Sequence, residues 1–463
     1  MLASPPEKSG GQCVNKIYKI DKKNNKHKLI TTMKTFNFLL LTFYFLLSSF
    51  FCFAQVETPA LPQKGTILLL NGYAHIGNGE VIENSVIALE NGKLTMVADA
   101  RIVKFDVSKY DTIIKLEGKH VYPGIIAPNS TLGLTEIEAV RASVDEAETG
   151  TINPHVRSLI AYNTESKITT TVRTNGVLLG QITPRGGLIS GTSSVVQFDA
   201  WNWEDAVIKI DDGVHLNWPN LFSRWNGEKN KNYAKSIETI TTFFDNSKAY
   251  CNIEFHPEKN LRFEAMRGIF NGTQTLFIHT DYIKEITEAI AFMKKYELKK
   301  MSIVGGYDAW MVAPLLKENN ISVVLKRIHS LPERQEDDVY LPYKMPKILF
   351  DAGILFCLEN AGDMEAMGAR NLPFYAGTAV AYGLTKEQAL QTITLNTAKI
   401  LGIDATTGSL EQGKDATLFI STGDALDMKT NDVVLAFIQG RQIDLNNHQK
   451  KLYEKYSGKY KNN

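Results

Sequence analysis

The chain has 463 residues, 44% of them apolar and 22% charged, with a formal net charge of +1. That length is too great for one small core and suits a large barrel with an accessory domain. The balance hides an asymmetry: residues 1–54 carry eight lysines against Glu7 and Asp21, a net of +6 that leaves −5 on the remainder, and a mildly acidic body excludes the basic footprint that nucleic-acid binding requires.

Residues 1–32 precede a natural start at Met33 and are set aside as a misassigned start or an unstructured arm. Met33-Lys34 opens a short positive region, an apolar run follows from Phe38 to Ala54, and Cys52-Phe53-Ala54 before Gln55 is a candidate cleavage site. This layout over residues 33–54 predicts a secretory signal peptide, hence a periplasmic or extracellular protein. The alternative is an uncleaved anchor, because the run is near the lower length for a span. Phe50 and Phe51 ahead of Cys52 weaken a lipoprotein reading. Beyond the leader only Cys251 and Cys357 remain, and their spacing specifies no disulfide.

From residue 55 to 122 the chain reads as short strands. Thr66–Leu70, Val86–Leu89 and Leu94–Ala98 are aliphatic or β-branched runs, and Asn71-Gly72, Gly77-Asn78-Gly79 and Asn91-Gly92 are predicted turns. Near Pro123-Gly124 the texture changes, and from Thr275 strands and helices alternate. Strands are predicted at Thr275–His279, Met301–Val304, Ile321–Leu325 and Ile354–Leu358. Helices are predicted at Asp281–Tyr296, Tyr307–Glu318, Met345–Ala352 and Thr385–Leu401. Ile283, Ile286, Ile290 and Met293 share one face of the first, and the last has a Thr385/Gln388 capping box and a Gly402 stop. This alternation predicts α/β architecture, a TIM-like (β/α)8 barrel over residues 123–402. Asn202–Arg262 is irregular and Trp-rich, so eight strands are not countable from pattern. Residues 403–445 return to strand texture and are predicted to complete a small composite β-sandwich built from both chain ends. Residues 446–463 read as an exposed tail rich in Lys and Tyr.

Three stretches carry a family resemblance. Gly118-Lys119-His120-Val121-Tyr122-Pro123-Gly124-Ile125-Ile126-Ala127-Pro128-Asn129-Ser130-Thr131 resembles the first barrel strand of amidohydrolases, which ends in His-x-His. Leu384–Gly402 and Gly408–Leu418 resemble the family's C-terminal helix and its Gly-Lys-x-Ala-Asp-Leu segment. The chain is thus similar to the amidohydrolase superfamily, imidazolonepropionase-like group. The resemblance implies metal-dependent hydrolysis of peptide or non-peptide C–N bonds, with zinc held at the ends of barrel strands.

Carried over residue by residue, that pattern is mostly missing. Alternate residues of a strand face one way, so His-x-His delivers two imidazoles to one metal. Here the pair is Asn129 and Thr131. His279 matches the strand-five ligand, Gly305 falls where strand six supplies His, Asn360 falls where strand eight supplies the catalytic Asp, and strand four offers no match. Glu359 is expected to face away by alternation. Asp281, Asp363, Glu365 and Glu136 are loop acids at the correct end. Only His279 remains as a metal ligand, which implies no cofactor or a weakly bound divalent metal.

Pro184–Gly191 lacks the Lys and spacing of a phosphate loop and reads as a turn beside the pocket, with Arg185 a candidate for a substrate carboxylate. Ser190, Ser193 and Ser194 do not form Gly-x-Ser-x-Gly. Trp201, Trp203 and Trp218 with His215 are either a sugar or peptide platform or packing. Two functions follow. One is an impaired amidohydrolase that binds a small-molecule or peptide ligand or pairs, as a homo- or hetero-oligomer, with an active homologue. The other is an active C–N hydrolase with a metal site rearranged around His279.

Overall fold

The computed structural model describes residues 34–43, 58–222 and 227–461. The chain divides into two compact units, Met1–Glu57 and Thr58–Asn463. In the first, residues 34–43 form an exposed helix. The rest of the predicted signal peptide and the arm before it lie outside the described residues. Among the described residues no helix is long and apolar enough to cross a membrane.

In the second unit, both chain ends build one branched sheet. Its order is Arg441–Gln442, Val433–Ile438, Leu418–Ser421, His120–Pro123, Ile67–His75, Val81–Glu90 and Lys93–Asp99, with Thr112–Lys115 branching from Ile67–His75. The antiparallel pairing of Leu418–Ser421 with His120–Pro123 joins the two ends. Period-2 alternation explains the two faces. Leu69, Ile87 and Leu89 bury in one cluster with Leu418, Ile420 and Phe437, while Leu68, Val86 and Ala88 bury in another. Asn91-Gly92 turns as expected, with φ of 51° and 78°, the left-handed pair that a two-residue hairpin favours. Asn71-Gly72 does not turn. It lies inside Ile67–His75, where Asn71 at φ 62° forms a bulge. The same left-handed preference serves a bulge as well as a turn.

The barrel strands are, in order, Ile125–Ser130, Val177–Ile182, Ile189–Gln197, Val207–Asn217, Thr275–Thr280, Met301–Gly305, Ser322–Leu325 and Phe356–Leu358. The third runs antiparallel to both neighbours, and the other pairs are parallel. The expected uniform alternation fails there because residues 183–188 are too few for a crossover helix and make a hairpin instead. The irregular Asn202–Arg262 stretch holds the fourth strand and the helix Tyr233–Cys251, which buries Ile240, Phe243 and Phe244. Ile126, Leu179, Val195, Phe277, Val304, Val324 and Cys357 bury as one cluster across the strands.

The predicted helix Thr385–Leu401 is two helices, Lys386–Gln391 and Leu395–Leu401. The capping box forms, and Gly402 ends the second in a left-handed conformation. The break between them does structural work. The Thr392 carbonyl accepts from Leu358 N–H at 3.1 Å, and the Ile393 carbonyl accepts from Ile126 N–H at 3.0 Å. Those donors belong to the last and first barrel strands, so the broken helix bridges the seam. Asn396 Nδ2 donates to the Phe356 carbonyl at 3.1 Å from the same side. Thr392 and Thr394 hydroxyls bond to backbone carbonyls one turn back, the local competition that disfavours a continuous helix.

Other boundaries shift. Tyr307–Glu318 becomes a turn at Ala309–Val312 followed by Ala313–Glu318, with Pro314 in its first turn. The helix predicted from Met345 begins at Leu341. The tail folds as a mostly exposed helix, His448–Lys461, held at its start by Thr171 Oγ1 donating to Gln449 Oε1 at 3.0 Å.

Ile393→Ala removes a fully buried side chain at the seam. Urea unfolding is expected to show a loss of about 2–5 kcal/mol.

Candidate functional site

Strand parity positions the site. Phe277, Val324 and Cys357 bury together in the barrel cluster, and the residues two further along, His279, Lys326 and Glu359, line a pocket of about 570 Å³. It lies where parallel strands end, the rim at which barrel enzymes place their chemistry. Asn129, Arg185, Trp218, Asp281, Gly305 and Glu365 also line it. Four of the positions singled out from sequence, Asn129, Arg185, His279 and Gly305, therefore meet in one cavity. Thr131 and Asn360 do not line it.

Asn129 reaches the pocket through a local irregularity. The pairing of the first and second strands shifts between Ala127 and Ser130, and Asn129 takes φ 46°. Asn tolerates this left-handed conformation better than most residues. Its N–H donates to Gln181 Oε1 at 3.0 Å. Gln181 Nε2 donates to Asp212 Oδ2 at 2.8 Å, and Ser193 Oγ donates to Asp212 Oδ1 at 2.7 Å. This buried chain underlies Asn129. Burial pushes the Asp212 carboxyl up to about 6, against the pull of its bonds from Ser193 and Gln181.

Arg185 is held by three side-chain hydrogen bonds. Its guanidinium donates to Asn129 Oδ1 at 2.8 Å, to the Asn129 carbonyl at 2.8 Å and to Glu365 Oε1 at 2.5 Å. Glu365 Oε1 also accepts from Thr131 N–H at 3.0 Å. A guanidinium so held by the protein is less available to a substrate carboxylate than the sequence suggested. Asn129 Nδ2 donates to Glu359. Burial pushes the Glu359 carboxyl up to about 8, opposed by the Asn129 bond and the Arg185 charge. A second pair lines the same pocket, Lys326 Nζ with Asp281 Oδ2 at 3.1 Å, and Lys326 also meets Glu333.

His279 Nε2 lies 2.8 Å from His215 Nδ1. Burial, then the Arg185 charge, lowers His279 to about 3; burial and then His279 hold His215 well below the ordinary imidazole range. Both rings are thus neutral at pH 7, one donating and the other accepting. His215 stacks on Phe277, with centroids 4.8 Å apart.

The placement of Asn360 is corrected. Its Nδ2 donates to the Glu365 carbonyl at 2.9 Å and its Oδ1 accepts from Tyr375, both outside the pocket wall. Glu359, expected to face away, is the strand-eight residue in the pocket. Matching Phe356-Cys357-Leu358-Glu359 to Phe-Gly-Thr-Asp from its first residue, or counting two from Cys357, finds it. Lys326 yields to the same count from Val324. In the sequence His215 is marked only by its neighbouring tryptophans, of which Trp218 lines the pocket and Trp201 stands exposed elsewhere. Of the loop acids, Asp281 and Glu365 line the pocket, while Asp363 and Glu136 do not.

Zinc does not fit this donor set. Gly305 offers no side chain, its φ is 102°, and a Cβ there would lie 2.7 Å from Asp281 Oδ1. Asn129 spends its amide on Arg185 and Glu359, and His279 spends Nε2 on His215. Among the described residues no group of three or more His, Cys, Asp or Glu is placed to hold a metal ion. A catalytic zinc takes about three protein ligands and an open position for water.

Comparisons agree with this fold. The Amidohydrolase family model matches residues 350–443. A curated imidazolonepropionase from Flavobacterium psychrophilum is 24% identical over 193 residues, which are 36% of this chain and 47% of that protein. The chain thus spans about half the length of that relative. Among solved structures, an amidohydrolase from Thermotoga maritima MSB8 superposes with a TM-score of 0.70 at 24% identity, over 81% of this chain and 99% of that one. A Xaa-Pro dipeptidase with bound methionine superposes with a TM-score of 0.50 at 14% identity, over 81% and 99%. The family model and the curated relative support the amidohydrolase superfamily, and the two superpositions show its fold. Within it the curated relative supports the imidazolonepropionase-like group.

Two outcomes follow from the geometry. Glu359 binds its proton more tightly folded than unfolded, so between about pH 4.5 and 8 the native state holds more protons. Its contribution is fully present below the unfolded value and is lost as pH rises through that window. The buried imidazoles of His279 and His215 act in the opposite sense below about pH 6.5, because they gain protons on unfolding. The test is therefore the difference: the unfolding free energy of the wild type minus that of Glu359→Gln should fall as pH rises over this range. Gly305→His, which restores the family's residue, should lower Tm by crowding Asp281 and should not by itself confer tight zinc binding in calorimetric titration.

Proposed function

We propose that this chain is an exported amidohydrolase-family protein, periplasmic or extracellular, whose metal site is eroded and whose pocket binds a small-molecule or peptide ligand. It acts alone or as the partner of an active homologue. Family membership supports a C–N hydrolase-type fold. The names of the relatives, an imidazolonepropionase and a Xaa-Pro dipeptidase, suggest ligands built around C–N bonds.

One observation carries the reading. Where the family's pattern calls for metal ligands, the pocket presents Asn129 and Gly305, and its carboxylates Glu365 and Asp281 are paired with Arg185 and Lys326. Without a Lewis acid, nothing in this donor set lowers the pKa of water to the neutral range. The fold survives such losses because metal ligands stand on the rim and not in the packed layers.

The test is metal content by inductively coupled plasma mass spectrometry. Mature protein is purified without chelators, re-exposed to zinc and assayed beside it on cyclic amides and prolyl dipeptides. The expected result is no stoichiometric metal and no hydrolysis above buffer. One tightly held ion per chain, with turnover that a chelator abolishes, would overturn the proposal.

A further inference from the structure

Three strand ends that the family's pattern assigns to metal chemistry line the pocket that the Arg185 side chain enters. We propose that the Arg185 guanidinium stands in the metal's place as the resident cation of the pocket. This rests on the reading of the eroded metal site given above.

The first strand end is Asn129, which gives Arg185 two oxygens, Oδ1 and the carbonyl, each at 2.8 Å. The second is Glu359 on strand eight, linked to the same Asn129 through its Nδ2. The third is His279 on strand five, which lines the same cavity. Glu365 completes the set at 2.5 Å and is itself steadied by Thr131 N–H. The Arg185 charge thus sits among the residues of strands one, five and eight that face the pocket.

Guanidinium chemistry explains which residue types are present. A metal takes imidazole nitrogens as well as oxygens, whereas a guanidinium has five N–H donors and no acceptor, so it needs oxygens arranged around its plane. The strand-one position accordingly carries an amide in place of an imidazole, and the loop after strand eight contributes a carboxylate. The imidazole that remains makes its bond to His215 instead. Gly305 removes a ligand that would have no partner here. The backbone of Arg185, in the hairpin between strands two and three, is held as well: its N–H donates at 2.6 Å to the carbonyl of Glu146, which lies between strands one and two. That hairpin, where the barrel departs from uniform parallel pairing, is what carries Arg185 over the strand ends. A bound ligand therefore meets a fixed, singly charged hydrogen-bond donor and not an electrophilic ion, which favours recognition over bond cleavage.

The experiment is thermal unfolding of the full mature chain with and without manganese or zinc chloride. It uses wild type, Arg185→Lys, Arg185→Gln and Arg185→Gln/Glu365→Gln. Wild type should show no metal response, and Arg185→Lys should stay close to it. Arg185→Gln should lose several degrees in Tm and regain part of them with divalent cation, because carboxylates are left without a counter-charge. The double variant, with both signs removed, should recover without metal. Arg185→Gln as stable as wild type, or neither metal response nor recovery in the double variant, would overturn the proposal. If Arg185→Gln does not fold, folding of the double variant supports the proposal, and its failure overturns it. A metal response of wild type itself would instead sink the eroded-site reading beneath it, so the two failures are distinguishable.

Discussion

Four carboxylates, Glu146, Asp281, Glu359 and Glu365, line one concave end of the barrel. Carboxylates removed from water need a nearby positive charge, bonds from donors or a retained proton. This chain uses all three. Arg185 and Lys326 supply charge to Glu365 and Asp281, Thr135 donates to Glu146 at 2.7 Å, and burial keeps Glu359 protonated to about pH 8. A divalent ion entering such a pocket would have to displace side chains that already hold the oxygens. The rest of the rim follows from this constraint, including the left-handed Asn129 that presents its amide to both Arg185 and Glu359.

The scaffold beneath the rim is built by separate means. The seam between the first and last strands is bridged by the Thr392 and Ile393 carbonyls, and the two chain ends join through a sheet whose buried faces form their own clusters. None of these contacts involves the pocket residues. Packing and rim chemistry can therefore change independently, which is how a barrel keeps its architecture while the residues on its rim are exchanged.

Much of the fold was legible in the sequence. Glycine and proline punctuation marks the first barrel strand, and helical periodicity marks Ile283–Tyr296. What was not legible depends on contacts far apart along the chain. The helix break at Thr392 needs the neighbouring strand ends as partners for its carbonyls. The reversed third strand depends on a link too short for a helix, in the Pro184–Gly191 segment whose residues mark a turn but not the direction of the strand that follows. In the site, His279 and Arg185 stood out by residue type and family pattern. Alternation counted from Asn360 turns Glu359 away from the pocket, whereas counted from the buried Cys357 it turns Glu359 in. Lys326 and Glu365 gave little local signal, since their partners, Asp281 and Arg185, lie 45 and 180 residues away.

The most direct measurement is an anomalous diffraction map at the zinc absorption edge, from crystals of the mature protein grown near pH 7.5 and soaked in zinc chloride. The account predicts guanidinium density between Asn129 and Glu365 and no anomalous peak within the pocket. A strong peak bounded by His279 and Glu359, with Arg185 swung out, would contradict it.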